Sequence, residues 1–139
     1  MKIKQLKEHQ KIFYQEIGCI FCPVLEDMVH FTSYGFNHLV SKPNRNPRKI
    51  GEQKLKLYCL TFAPQVVANS TEIVTTRETK LRIKGKWKSV IRLGIIYEVK
   101  PGVVMRVIIE KIGDGNYQFL SVMPHTRKSK NRNKKHPKV

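Results

Sequence analysis

Residues 89–123 read SVIRLGIIYEVKPGVVMRVIIEKIGDGNYQFLSVM, and this stretch decides the fold class. It contains runs rich in Val, Ile and aromatic residues at 89–100, 103–112 and 117–123, a composition typical of β-strands. Pro101-Gly102 and a glycine-containing turn at 113–116 separate the runs, and connections this short join antiparallel neighbours. With a further β-prone run at 73–79, the sequence predicts a four-stranded antiparallel meander.

The chain before the meander has helical periodicity. Apolar residues at close to helical spacing predict a helix over residues 2–17. Residues 19–31 have two short apolar runs around an acidic turn, which predicts a small hairpin. A short helix is predicted to follow to about residue 40, with Thr32 or Ser33 as its N-cap.

Asn46 and Pro47 predict the start of the next helix, because asparagine is a good N-cap and proline suits the first helical position. This helix is predicted to reach about residue 59 and, after a break at Pro64, to continue to Ala68. Its inward side is predicted to consist of Ile50, Leu55, Tyr58 and Cys59.

Together these patterns predict an α+β fold, in which N-terminal helices pack on one face of a four-stranded antiparallel β-sheet. Residues 1–125 are predicted to form a single domain, a size that buries enough surface for one core. Residues 126–139 carry seven Lys/Arg and no acidic residue, which predicts a disordered basic tail.

The charge of the chain indicates its partner. There are 27 Lys+Arg against 10 Asp+Glu, a formal net charge of +17, and 20 of the basic residues lie before the tail. An excess of this size is the electrostatic footprint of a nucleic-acid-binding protein. The sequence therefore predicts that the partner is RNA or another phosphate polymer.

Several classes of function are disfavoured. The sequence has no apolar run long enough to span a membrane and no secretory leader, and three cysteines suggest a reducing cytosol, so we expect a cytoplasmic protein without a membrane partner. It has no phosphate-binding glycine loop, and acidic residues are too scarce for a two-metal nuclease. Cys19 and Cys22 form half of a zinc site that only His30 and His38 are near enough in sequence to complete, with a spacing that fits no zinc finger. We expect no metal and no other cofactor.

His38 is the leading candidate for chemistry. It lies on the predicted short helix, and a cationic segment follows it. Cleavage of RNA by its own 2′-OH needs a base, an acid and positive charge at the phosphate, and imidazole suits the first two tasks. A structural histidine at a helix end is the alternative. The cations predicted to bind substrate in this part of the chain are Lys42, Arg45, Arg48 and Lys54.

The predicted strands add further candidates. Arg106 is surrounded by apolar residues, so its charge must face either a site or a carboxylate such as Glu110. Ser121 is the hydroxyl of the last strand, and we predict catalytic roles for Arg106 and Ser121 beside His38. Arg77 and Arg92 are predicted to bind substrate, with solvated or paired side chains as the alternative for these strand residues. His125, at the edge of the tail, is also predicted to bind substrate; it could instead be a second acid/base group or a merely exposed side chain.

The order of these parts resembles the barnase–EndoU–colicin–RelE (BECR) fold of small ribonucleases. The blocks that carry the resemblance look like those of phage-associated members: Cys22-Pro23-Val24-Leu25, Val29-His30-Phe31-Thr32, Gly35-Phe36-Asn37-His38-Leu39 and Phe119-Leu120-Ser121-Val122-Met123-Pro124. The resemblance covers roughly residues 20–125 and is closest to the colicin D-like tRNases.

That resemblance implies a helix histidine as acid/base, at His38, and a last-strand serine near the phosphate, at Ser121. The lysines of the group have no counterpart before His38, where Phe36 and Asn37 stand, so other cations would have to take their place. Members of the group are often toxins, which implies an acidic antitoxin or immunity protein as a further partner.

Two other functions remain open at this stage. A non-catalytic RNA- or DNA-binding module would need only the charge, although few aromatic residues are placed to stack bases. An RNA-associated structural protein, such as a ribosomal component anchored by the tail, is the third possibility.

Overall fold

The computed structural model describes residues 2–41 and 46–126. The predicted tail, apart from Thr126, lies outside the described residues. The helices and strands, in chain order, are α1 (Ile3–Ile17), β1 (Cys19–Cys22), β2 (Asp27–His30), α2 (Ser33–Val40), α3 (Ile50–Cys59), a 3-10 turn (Leu60–Phe62), α4 (Ala63–Asn69), β3 (Glu72–Ile83), β4 (Lys86–Lys100), β5 (Val103–Ile112) and β6 (Tyr117–Pro124).

The α+β class is confirmed, but the prediction of a four-stranded antiparallel sheet is wrong. The sheet has six strands in the order β1-β2-β6-β5-β4-β3. The hairpin β1–β2 joins it through parallel pairing of β2 with β6, at Val29 with Tyr117 and His30 with Gln118. The paired residues of β2 and β6 are far apart in the sequence, so no local pattern indicates that the β1–β2 hairpin belongs to the sheet.

The meander itself is present as β3 to β6, with antiparallel pairing throughout. Its first hairpin is longer than predicted, because β3 extends to Ile83 and β4 begins at Lys86. Lys84 and Gly85 make the turn with positive φ angles of 51° and 79°. The end of this hairpin is rich in charged residues and contains no apolar run of the kind that predicts the other strands. Its strands therefore extend beyond their predicted bounds.

The core lies between one face of the sheet and the helices. Met105, Val107 and Ile109 of β5 are buried in one cluster with helix residues. Strand side chains alternate, so Arg106, Ile108 and Glu110 lie on the opposite face. Further buried side chains of this core come from the helices and the last strand: Phe36, Leu39, Leu57, Leu60, Val66, Val67, Phe119 and Val122.

Helix α3 differs from its prediction in both start and orientation. It begins at Ile50 with Lys49 as its N-cap, while Pro47 forms an isolated bridge with Ser41. Its buried residues are Leu57 and Cys59, whereas the side chains predicted to face inward with Cys59 are exposed, namely Ile50, Leu55 and Tyr58. The helix packs against α1, α2 and β6, and this contact favours a face that includes a half-buried lysine, Lys56.

A buried glutamine joins α1 to α3. Gln10 donates from Nε2 to the carbonyl oxygen of Leu57 at 2.6 Å and to Thr61 Oγ1 at 3.1 Å. These bonds satisfy a polar group that would otherwise be costly to bury. Across the described residues, no helix combines the length and apolar character needed to cross a membrane.

Candidate active site

Helix α2 lies directly against the backbone of β6. Gly35, in its first turn, is buried, and a Cβ atom there would overlap the carbonyl oxygen of Phe119 and lie 2.8 Å from Tyr14 Oη. The same Tyr14 hydroxyl donates to the Thr32 carbonyl oxygen at 2.6 Å and so fixes the entry into α2. This close approach positions Tyr34 and His38, one helical turn apart, beside the charged side chains of the sheet.

Glu110 is the buried carboxylate at this position, with 2% of its surface exposed. It accepts from Arg92 Nε at 2.7 Å and from Tyr34 Oη at 2.9 Å. Burial, and then the hydrogen bond to Glu110, raise the pKa of Tyr34, so this phenol remains a donor. A buried charge needs such partners. The hydrogen bonds of Glu110 to Tyr34 and Arg92 therefore fix α2 against β4 and β5.

Arg106 does not pair with Glu110, which was one of its two predicted roles. Its Nη2 contacts the sulfur of Met123 at 3.2 Å, and its Nε is buried without a hydrogen-bond partner in the part of the chain that the structure describes. The charge of Arg106 therefore has no acidic partner among these residues. A guanidinium in this state is suited to an anionic ligand.

His38 is half-buried within a group of cations. Burial lowers its pKa most, and the positive charges of Arg48, Arg92 and Lys56 lower the pKa further, against the opposing effect of Glu110. Its Nδ1 is buried and accepts no hydrogen bond from the described residues. The imidazole is therefore mainly neutral at pH 7, the form that accepts a proton.

Lys56 of α3 connects this histidine environment to the last strand. Its Nζ donates to Ser121 Oγ at 3.0 Å. Burial, followed by repulsion from Arg48, lowers the pKa of Lys56, and Arg106 acts in the same direction. Lys56 is not among the predicted site residues, because the sequence places Ile50, Leu55 and Tyr58 on the inward side of α3. The buried Leu57 and Leu60 are the apolar signal of the observed face.

The sheet register puts the predicted strand residues on one face. Arg77 pairs with Arg92, Arg92 with Glu110, and Ser121 with Ile108, two residues from Arg106. Side chains of paired residues lie on the same side of a sheet. Arg77 and Arg92, with Thr79, also line a small pocket.

The remaining predicted residues are less closely grouped. Arg48 donates from Nε to the carbonyl oxygen of His38 at 3.2 Å and forms an ion pair with Glu52, so it supports the end of α2. Lys54 is exposed on α3 and forms no ion pair within residues 2–41 and 46–126. The backbone N–H of His125 donates to the Val104 carbonyl oxygen at 2.8 Å, which extends the β5–β6 ladder by one step. Lys42 and Arg45 lie outside the described residues.

The cysteine half-site does not acquire further ligands. Cys22 is fully buried and Cys19 is exposed, and both are free thiols. Over residues 2–41 and 46–126, no group of three or more His, Cys, Asp or Glu side chains could hold a metal ion. The candidate site therefore consists of proton-transfer groups and cations.

Comparison of the chain with protein-family models, with curated proteins and with solved structures finds no match. The candidate site combines a neutral imidazole, an ammonium with a lowered pKa, guanidinium groups and a hydroxyl. We use the name catalytic cluster, after the role that we propose for them, for His38, Lys56, Arg92, Arg106 and Ser121.

Proposed function

We propose that this protein is a metal-independent endoribonuclease that cleaves RNA by attack of the 2′-OH on the adjacent phosphate. The observation that carries the proposal is the environment of His38, a half-exposed imidazole with a lowered pKa among Arg48, Arg92 and Lys56. A neutral base surrounded by positive charge is suited to a substrate that is itself an anion and must lose a proton.

In the proposed reaction, His38 takes the proton of the 2′-OH, and the resulting oxygen attacks phosphorus. The bond from phosphorus to the 5′ oxygen breaks, which leaves a 2′,3′-cyclic phosphate and a 5′-OH. Lys56 protonates the leaving oxygen, because its lowered pKa makes the ammonium a stronger acid than an ordinary lysine. Arg106, Arg92 and Ser121 stabilise the additional negative charge of the transition state.

The resemblance to BECR ribonucleases agrees with this assignment of roles. In that interpretation Lys56 supplies the cation that is missing before His38. We propose structured RNA, such as tRNA, as the substrate class and the cytoplasm as the location, which the free thiols support. An acidic antitoxin that covers the catalytic cluster is the corresponding protein partner.

The proposal is tested by incubating the full-length protein with tRNA in the presence of EDTA. We expect fragments that end in a 2′,3′-cyclic phosphate and begin with a 5′-OH, detected by end-labelling before and after phosphatase treatment. The same sequence made as DNA should stay intact, because it lacks the nucleophile. Salt-dependent binding of tRNA without any product would contradict the enzyme and support the non-catalytic module.

Lys56→Arg should lower the cleavage rate by about 10-fold or more and remove the alkaline limb of the pH–rate profile. In the wild type this limb should have its midpoint below 10.5, because burial lowers the pKa of Lys56 from that value. Arginine keeps the positive charge but does not titrate in this range.

Single-turnover rates from pH 5 to pH 11 measure both effects. Lys7→Arg, at an exposed position of α1, is the matched control and should leave the profile unchanged. An unchanged alkaline limb in Lys56→Arg would exclude Lys56 as the proton donor.

A further inference from the structure

The end of the β3–β4 hairpin extends beyond the rest of the sheet. Residues 80–89, which we call the basic ribbon, are paired as Lys80 with Ser89 through Ile83 with Lys86. The neighbouring strand β5 reaches β4 only from Val90 onwards. Apart from the hydrogen bond that the Gly113 N–H donates to the Ser89 carbonyl oxygen at 2.7 Å, the backbone pairing of the basic ribbon with described residues is therefore between its own two strands.

The composition of the basic ribbon is unusual for a segment with so little packing. Its sequence, KLRIKGKWKS, contains five basic and no acidic residues. Of its ten residues, all except Ile83 are exposed. None of these cations forms an ion pair with another described residue. Lys84 lies in the turn, and the other four cations have uncharged residues directly opposite them across the ladder, namely Ser89, Leu81, Trp87 and Ile83. Charge that is unneutralised within the chain attracts a polyanion.

Trp87 is the second feature of the basic ribbon. It is the one tryptophan of the chain, it is 67% exposed, and it lies directly opposite Arg82. Folding gains little from so large an apolar side chain in solvent. Tryptophan and arginine planes are the groups on which unpaired nucleic-acid bases stack.

The basic ribbon also continues the strands that carry the site. Arg77 and Arg92 pair with each other just before it begins, and Lys88 and Lys86 lie on the same side of β4 as Arg92, whereas Trp87, five residues before Arg92, lies on the other side. At strand spacing this separation is about 17 Å. A nucleic-acid strand that crosses the catalytic cluster can therefore continue along Lys88 and Lys86, and a base can turn over the narrow edge of the two-stranded ribbon to reach Trp87.

We propose that the basic ribbon binds the unpaired RNA strand next to the cleaved linkage. Trp87 stacks on a base, and Lys80, Lys86 and Lys88 contact phosphates. An unpaired strand fits better than a duplex, because bases inside a helix offer no face for stacking and the A-form major groove excludes side chains. The identity of the polymer as RNA rests on the proposed function, whereas the binding surface does not require cleavage.

The experiment uses the full-length protein and a short single-stranded oligonucleotide with 2′-O-methyl groups throughout, which 2′-OH attack cannot cleave. We expect saturable quenching of the Trp87 emission, with a midpoint that matches binding followed by anisotropy of the labelled oligonucleotide. Trp87→Ala should weaken binding by about 5- to 150-fold, the range for loss of one stacked base.

Matched charge variants test the phosphate contacts. Lys86→Gln with Lys88→Gln should reduce the slope of log affinity against log salt by about 1.4, the value for two contacts to a single strand. Lys4→Gln with Lys7→Gln, on exposed positions of α1, removes the same charge and should leave the slope unchanged.

The inference is overturned if Trp87 emission does not respond while anisotropy reports binding, or if duplex RNA binds more tightly than the single strand. These outcomes are separate from those of the proposed function. If the uncleavable strand quenches the Trp87 emission but the protein does not cleave tRNA, only the proposed ribonuclease activity is overturned. If Trp87→Ala cleaves tRNA with an unchanged KM, only the proposed RNA-binding role of the basic ribbon is overturned.

Discussion

Replacement of His38 by alanine should lower the rate of tRNA cleavage by about 10²- to 10⁴-fold, the usual contribution of a positioned acid/base group. The substitution should have a small effect on folding, because the imidazole is only half-buried and its Nδ1 makes no hydrogen bond to the described residues. Loss of activity without loss of structure would thus identify a chemical role. His9→Ala, at an exposed position of α1, is the matched control.

The acidic limb of the pH–rate profile gives an independent measurement on the same residue. Burial and the cations Arg48, Arg92 and Lys56 lower the pKa of His38 from 6.5, so a His38 base becomes active with a midpoint below that value. The rate should rise with pH through this midpoint and remain high at pH 7. Far-ultraviolet circular dichroism at each pH separates titration from unfolding. Equal cleavage by wild type and His38→Ala would remove His38 from the mechanism.

The parts of the fold that the sequence predicted are those that depend on neighbours along the chain. The strand bounds at 103–112 and the helix after residue 2 follow from local periodicity and from short turns. The parallel pairing of Val29 with Tyr117 depends on contacts across the whole chain, so no local pattern could show it. The strands of the basic ribbon were not predicted for another reason. Its Lys and Arg residues resemble a solvated loop until the cross-strand partners are known.

The candidate site was predictable to the extent that its residues are unusual where they stand. A histidine among cations and an arginine within an apolar strand attract attention in the sequence alone, and both lie near Lys56 in the structure. The partner of Glu110 was not predictable, because the choice between Arg92 and Arg106 depends on the register of β4 against β5, which places Arg92 directly opposite Glu110. Lys56 was not predicted, because the inward side of α3 was assigned to Ile50, Leu55 and Tyr58 and a lysine on the remaining face is normally exposed.

Gly35→Ala should destabilise the protein by about 1–3 kcal/mol or more, the cost of an extra group in a packed interior. The new methyl group would overlap the carbonyl oxygen of Phe119, which cannot move without disturbing the β5–β6 ladder. The gain of about 1 kcal/mol that alanine offers over glycine in an open helix position is too small to offset this overlap. Urea unfolding followed by circular dichroism measures the difference.

Gly51→Ala provides a matched control of opposite sign. Gly51 lies in α3, and nothing is within 4 Å of a Cβ atom built there, so the same substitution should stabilise the protein by about 0.4–1 kcal/mol. A stabilising effect at both positions would show that α2 does not lie against β6 as described.

The same substitution connects packing to the proposed chemistry. Where Gly35→Ala remains folded, α2 has to move away from β6, and this movement separates His38 from Lys56 and Arg92. We therefore expect its cleavage rate to fall even under conditions where circular dichroism shows a folded protein, with the acidic limb of the pH–rate profile shifted towards 6.5. A folded Gly35→Ala variant with the wild-type rate and profile would mean that the position of His38 does not depend on this helix–strand contact.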